Sequence, residues 1–343
     1  MLVTSHLKQA NFATLVTDAN LQTGQRRALS GPIFAHPALS FWNNLELTGK
    51  GHDYLTQQVE VERNVADTLS LPGDTFMLGW GVFFGMGKVT TTTPNGGNPT
   101  AKLHTGKPLD PGVDGSELPV ATIYREWANA AAAKGRIHSI AVPSFQITLP
   151  ASQPVRLECS IVGSGQETTG ALSTPPALPA SLDLLLSNNL VFRRGTQGSP
   201  SDVTSRVIRG SVRVGFGWGL EEELRRTAGS GLYAARSVIS TPQPFIEWSE
   251  LVDDTDVTVH SNYLAQSVEE VKGTVQGTVI GGGPETHQLE FRMLAARVKI
   301  TGKSQVGKYT VYQFRAGIED AAKEGANDVF TIAVQNTQTT YGT

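Results

Sequence analysis

Seven histidines, His6, His36, His52, His104, His138, His260 and His287, are the side chains of this chain best suited to metal binding or to proton transfer near neutral pH. They are spread singly, with no pair at i, i+4 and no H-E-x-x-H, so their spacing builds no local metal site. His52-Asp53 would need a distant serine to complete a triad, and no G-x-S-x-G elbow exists to present one. The densest carboxylates are Glu221-Glu222-Glu223 and Asp253-Asp254-Thr255-Asp256. Paired carboxylates are the equipment of a glycosidase, and an Asp-rich loop that of a Ca²⁺ site. The second cluster lacks the glycine and the distant glutamate of an EF-hand loop, and both read better as solvated faces or as a lining that repels phosphates.

Gly163-Ser164-Gly165 and Gly281-Gly282-Gly283 resemble phosphate-cradling loops. Neither is followed by Gly-Lys-Ser/Thr or set in a parallel βαβ unit, so each is expected to be a turn. Cys159 stands alone between Leu157 and Ile161 in an alternating stretch, which excludes an internal disulfide or a cysteine metal site and predicts a buried small hydrophobe. No catalytic, cofactor-binding or metal-ligating residue emerges. The chain is expected not to be an enzyme and to need no cofactor.

The elements that would position any site are strands. Charged residues make up 17% of the chain and 36 of its 343 residues are glycine, a balance that suits strands and turns better than long solvated helices. Alternation marks residues 57–62, 139–149, 155–162, 288–301, 309–316 and 329–335, with weaker patterns over 120–127, 182–192, 207–216 and 256–263. Residues 74–87 differ, since large apolar residues are interleaved with four glycines behind Pro72-Gly73. Asp74 is expected to cap a short helix there, packed closely against a sheet or a neighbour. A short Ala-rich stretch runs over 129–134, and 318–325 is a candidate short helix or loop between strands. Residues 90–119, rich in Thr, Pro, Gly and Asn, read as a loop too long for an ordinary connector.

Two boundaries suggest themselves. Residues 1–37 end in Gly31-Pro32 and His36-Pro37 and read as an N-terminal arm, followed by a β domain over 38–343 with an internal boundary near 170–180, where three prolines interrupt the pattern. Twenty-eight basic against 31 acidic side chains give a formal charge of −3, and no run of Lys or Arg builds a stripe that could neutralise phosphates. Arg193-Arg194 and Arg225-Arg226 are expected on a solvated strand edge or in an intersubunit contact. The N-terminus lacks the basic start and apolar run of a signal peptide, and no 18 apolar residues run together, so the expectation is a chain folded in a reducing, aqueous compartment.

Residues 76–90, FMLGWGVFFGMGKVT, followed by a Thr/Pro/Gly loop, resemble the corresponding part of the tail tube proteins of tailed bacteriophages. Residues 137–147, IHSIAVPSFQI, are similar to that family's strand after the loop. Residues 155–165, VRLECSIVGSG, resemble its strand ending in glycine, and 309–316 with 329–336 its final two strands. The resemblance runs over roughly residues 40–336 and is weaker over 1–37 and 196–244. It implies an antiparallel β-sandwich or barrel-like sheet with one or two short helices and long loops. Copies of the chain would form stacked rings, probable hexamers, that guide DNA from capsid to host. The partners it implies are further copies of the chain, the tape measure, terminator and distal tail proteins, and genomic DNA passing without sequence-specific binding. No membrane is involved, and the chain would sit in the virion after synthesis in the host cytoplasm. The alternative is a surface- or carbohydrate-binding β domain, such as a capsid decoration protein or adhesin, with residues 90–119 and the five tryptophans as its ligand site. A hydrolase using the two acidic clusters is the third reading.

Overall fold

The computed structural model describes residues 2–4, 25–27, 38–48, 52–110, 113–114, 117–126, 134–163, 167–170, 182–220, 239–252, 268–306, 309–317, 329–339 and 341, and for 2–4, 25–27, 38–48, 52–64, 72, 125–126, 134, 220, 240 and 306 the backbone alone. In chain order its strands begin with β1 (Leu2–Thr4), β2 (Gln25–Arg27), β3 (Ala38–Thr48), β4 (His52–Pro72), β5 (Gly87–Thr92), β6 (Lys102–Pro108) and β7 (Ala121–Glu126). The middle of the chain adds β8 (Lys134–Thr148), β9 (Arg156–Gly163), β10 (Glu167–Thr169), β11 (Leu190–Gly195), β12 (Ser201–Asp202), β13 (Arg213–Leu220) and β14 (Ile239–Pro242). The last are β15 (Phe245–Val252), β16 (Val268–Val279), β17 (Thr286–Arg297), β18 (Lys299–Val306), β19 (Tyr309–Gly317) and β20 (Phe330–Asn336). Among the described residues there is one α-helix, α1 (Thr75–Met86). The protein is therefore mainly β and sandwich-like, as its alternation predicts.

All pairings are antiparallel. One sheet runs β18-β19-β15-β13-β8-β7-β1-β2, with β9 and β10 also on β8, β14 on β13, and β4 leading from β9 to β3. The other runs β12-β11-β16-β17-β20-β6-β5. Strict alternation shows which side faces inward: β15 buries Ile246, Trp248, Glu250 and Val252, and β9 buries Leu157, Cys159 and Ile161. The two described pieces of the first 37 residues, β1 and β2, extend the first sheet beyond β7.

Helix α1 lies between the sheets, touching β8, β9 and β13 of one and β5, β6, β17 and β20 of the other. All twelve of its residues are buried, the outcome expected of a helix apolar on every side. Its eight large apolar side chains contribute roughly 1.5–3 kcal/mol each, an upper bound set against an extended chain. Asp74 caps it as the sequence predicts, its Oδ1 accepting from the Phe76 and Met77 amides at 3.1 Å. Gly87 ends it in the left-handed region at φ 86°, where a side chain would strain the backbone. Gly79 is needed for a different reason, because a Cβ there would collide with the ring of Tyr341. That ring packs on Phe76 at 5.7 Å, and its hydroxyl donates to the Phe76 carbonyl and accepts from Asn336 Nδ2. The core is one hydrophobic cluster drawing on both sheets and the helix.

Several expectations need correction. Residues 90–119 are not one long loop: β5 reaches Thr92 and pairs with β6, so the segment is mostly a hairpin. The stretch 182–192 is split by a 3-10 turn at Ser187–Asn189, and the regular strand in 207–216 starts only at Arg213. The stretch 288–301 is two strands rather than one, β17 ending at Arg297 and β18 starting at Lys299. The strand expected over 256–263, the Ala-rich stretch over 129–133, the candidate helix or loop over 318–325, and the proline-rich boundary at 171–180 lie outside the described residues.

Candidate functional site

The three histidines with described side chains, His104, His138 and His287, each keep separate partners. His104 Nδ1 meets Thr91 Oγ1 at 2.9 Å and its Nε2 meets Asn336 Oδ1 at 3.1 Å, with Tyr341 edge-on at 4.7 Å. Burial lowers its pKa, against the opposing hydrogen bond from Asn336. His138 Nε2 meets Thr168 Oγ1 at 3.0 Å, and burial together with the Arg136 charge lowers its pKa to about 4. His6, His36 and His260 lie outside the described residues, as do Glu221 to Glu223 and Asp253 to Asp256, and only the backbone of His52 and Asp53 is described. Among the described residues no group of three His, Cys, Asp or Glu side chains converges as a metal site.

One constellation looks catalytic. Thr75 Oγ1 lies 3.1 Å from His287 Nδ1, whose Nε2 lies 3.5 Å from Asp183 Oδ1. A hydroxyl, an imidazole and a carboxylate in series are the parts of a nucleophilic triad. Thr75, however, is 1% exposed in the first turn of a buried helix, so no substrate atom reaches it. The contacts instead tie β17 and residues 182–186 to α1, reinforced by the Thr75 amide donating to the Asp183 carbonyl at 3.2 Å. Burial lowers the His287 pKa, with Asp183 opposing.

The turn at Gly281 to Gly283 is structural, as expected. Gly281 to Gly283 join β16 and β17, clasped by Asn98, which donates to Glu285 Oε2 at 2.9 Å, and by Thr100, which donates to the Gly281 carbonyl at 3.3 Å. Ser164 and Gly165 lie outside the described residues. Cys159 is fully buried, and burial pushes its thiol pKa far up, so it is an inert hydrophobe.

Arg194 corrects the expectation of a solvated edge. Its neighbour Arg193 is exposed, but Arg194 is 6% exposed and reaches across the sandwich. Its Nη1 lies 3.2 Å from Glu250 Oε2 on the opposite sheet and its Nε 3.3 Å from Glu269 Oε2, with its guanidinium 4.7 Å from the centre of the Phe314 ring. Arg206 Nε stands 3.2 Å from Glu250 Oε1 without hydrogen-bond alignment, so charge alone holds that oxygen. Trp248 Nε1 donates to Glu250 Oε2, and Arg292 donates to Glu270 at 2.8 Å. Three buried carboxylates are thus matched by three guanidiniums. Arg225 and Arg226 lie outside the described residues.

A depression of about 770 Å³ lies on the outer face of the second sheet, lined by β6, β17, β20 and residues 197–198. It contains Thr105, Gln288, Thr331 and Gln335 but no aromatic ring, so it offers a sugar no stacking platform. The three tryptophans with described side chains do not supply one either: Trp80, Trp218 and Trp248 are core residues, with Trp218 Nε1 donating to the Gly85 carbonyl of α1 at 2.7 Å. Trp127 lies outside the described residues.

What stands out instead is a ribbon. From Ala38 to Thr48, β3 pairs only with β4, over the half of β4 that precedes its pairing with β9. Among the described residues no third strand lies beside it. The open edge strand β18 carries Lys299 and Lys303, charges that discourage indiscriminate pairing. Among the described residues no helix is long and apolar enough to cross a membrane. Set against known proteins, the chain matches no family model and no curated sequence, so its residues and their geometry carry the functional reading.

Proposed function

We propose that the chain is a structural subunit that assembles with copies of itself into the stacked rings of a bacteriophage tail tube, the channel through which DNA leaves the virion for the host. The observation that carries this reading is the ribbon of residues 38–64. A two-stranded ribbon is marginal in water by itself, yet this one runs for the eleven residues of β3 and includes Phe41, Trp42, Leu45, Leu47, Leu55 and Val59 in its sequence. Apolar content on a ribbon that has no third strand beside it among the described residues calls for cover from a neighbour. Copies related by rotation supply it in a closed ring, and copies along the axis supply it in a stack.

The resemblance of residues 76–90, 137–147 and 155–165 to tail tube proteins gives the assembly its identity. Six copies would carry a formal −18, compatible with a channel that does not retain DNA. Tape measure, terminator and distal tail proteins are the further partners of such a tube.

Electron microscopy of the purified protein tests the proposal. Discrete rings or tubes are expected, and a monodisperse monomer under all salt conditions overturns it. Replacing residues 43–58 by an Asn-Gly turn keeps a hairpin while removing most of the ribbon. The shortened chain is expected to retain its circular dichroism spectrum and to lose assembly.

A further inference from the structure

Of the chain's asparagines only Asn95 is followed by glycine. The pair sits at the tip of the β5–β6 hairpin, where Asn95, Gly96 and Gly97 are all exposed. A tight turn shapes the tip: the Asn98 amide donates to the Asn95 carbonyl at 3.0 Å, and the Gly97 amide donates to Asn95 Oδ1 at 2.9 Å. An asparagine side chain can close an imide ring with the next backbone nitrogen, and the short tether between them replaces a bimolecular encounter. The side chain of the following residue normally hinders that closure, and Gly96 has none. A Cβ built there would meet nothing within 4 Å, so the approach to the Gly96 nitrogen is open. The Gly97 amide points at the oxygen on which negative charge develops as the ring closes, the placement that stabilises a tetrahedral oxyanion.

We propose that Asn95 is a site of spontaneous modification, which loses its side-chain amide as ammonia, leaves a carboxylate at the hairpin tip and loosens the tip's hold on the β16–β17 turn. The Gly96 nitrogen gives its proton to water or hydroxide as it bonds Asn95 Cγ, and the Cγ–Nδ2 bond breaks as ammonia departs. Water then opens the imide. Cleavage at Cγ leaves aspartate, and cleavage at the backbone carbonyl leaves isoaspartate, in which the chain runs through the former side chain. The net reaction consumes one water and releases one ammonia, with no oxidant or reductant. The tip matters because it is one jaw of the clasp on Gly281 to Gly283. Asn98 Nδ2 donates to Glu285 Oε2 at 2.9 Å, and the Glu285 carboxylate is held below the usual carboxylate range by the Asn98 side chain and, to a smaller degree, by that of Asn95. Aspartate at this position replaces a donor to Glu285 with a second negative charge, and like charges at close range repel. Isoaspartate adds a backbone methylene that carries the Asn95 carbonyl away from the Asn98 amide. The chemistry is independent of whether copies of the chain assemble.

Incubation of the folded, full-length chain in heavy-oxygen water at mildly alkaline pH, followed by digestion in acid and mass spectrometry, tests the site. The peptide containing Asn95 is expected to take up heavy oxygen faster than any other asparagine-containing peptide. Gly96→Ala, which the open space admits without a clash, is expected to slow that uptake about tenfold, because the added methyl group hinders the approach to the nitrogen. If the folded chain takes up none at Asn95, the turn protects the residue and the proposal fails, whatever the chain unfolded in urea does. Uptake as fast in Gly96→Ala as in the native chain overturns it as well. Asn95→Asp carries the charge of the product and is expected to speed hydrogen exchange of the Asn98 and Ile280 amides, which bond the Asn95 and Glu285 carbonyls, about fivefold. Unchanged exchange at both amides overturns the link between the modification and the clasp.

Discussion

Helix α1 and the ribbon of β3 and β4 are neighbours in sequence and opposites in physics. The helix is enclosed on all sides, its ends capped by Asp74 and Gly87 and its first-turn carbonyls taken by Asn336 and Tyr341. The ribbon, a few residues earlier, has strand pairing on one edge only. On the proposed reading, stability and association fall to separate parts of the molecule, so that changes in one should leave the other measurable.

The strongest challenge to that division is the buried charge cluster. Arg194→Ala leaves Glu250 and Glu269 without their shared guanidinium inside the sandwich, and removing one partner from such a network costs about 3–5 kcal/mol. Denaturant unfolding of the ribbon-shortened chain measures this without interference from assembly. A loss under about 1 kcal/mol would place the core's stability elsewhere. Acid sharpens the comparison at intermediate scale. His138 binds its proton less readily in the folded state, where its pKa is about 4, than in the unfolded chain near 6.5. The stability it permits is complete above pH 6.5 and is lost as pH falls from there toward 4. His138→Gln is expected to flatten that part of the stability profile, and an unchanged profile would remove His138 as the cause. The smallest effect belongs to the surface. Lys88 and Asp114 form an exposed ion pair at 2.8 Å, and Lys88→Ala is expected to cost less than about 1 kcal/mol with assembly intact.

How much was legible in the sequence follows the range of the interaction that decides each element. Alternation over 139–149, 155–162 and 329–335 found β8, β9 and β20, because one buried face fixes period two locally. The cap at Asp74 found α1. Strand β6 was not legible: Lys102–Pro108 contains a glycine, a proline and only one large aliphatic residue, and its strand character comes from pairing with β20 more than 220 residues away. Arg194 was read as exposed because its partners lie 56 and 75 residues along the chain. The acidic clusters, which drew attention as sequence, lie outside the described residues and took no part in the site.

The seat of Tyr341 on Gly79 has a consequence for how the chain is made. The helix emerges from the ribosome with twelve apolar or small residues in succession, yet its lid, Asn336 and Tyr341, is synthesised more than 250 residues later. At usual elongation rates of about 5–20 residues per second, that leaves the most apolar segment of the chain waiting for some ten seconds or more. Long-range pairings of this kind also close slowly, because loop entropy is lost before the contacts form. The nascent chain thus presents a sticky helix well before its cover exists, and chaperone capture at residues 75–86 is where its biogenesis is most exposed to failure.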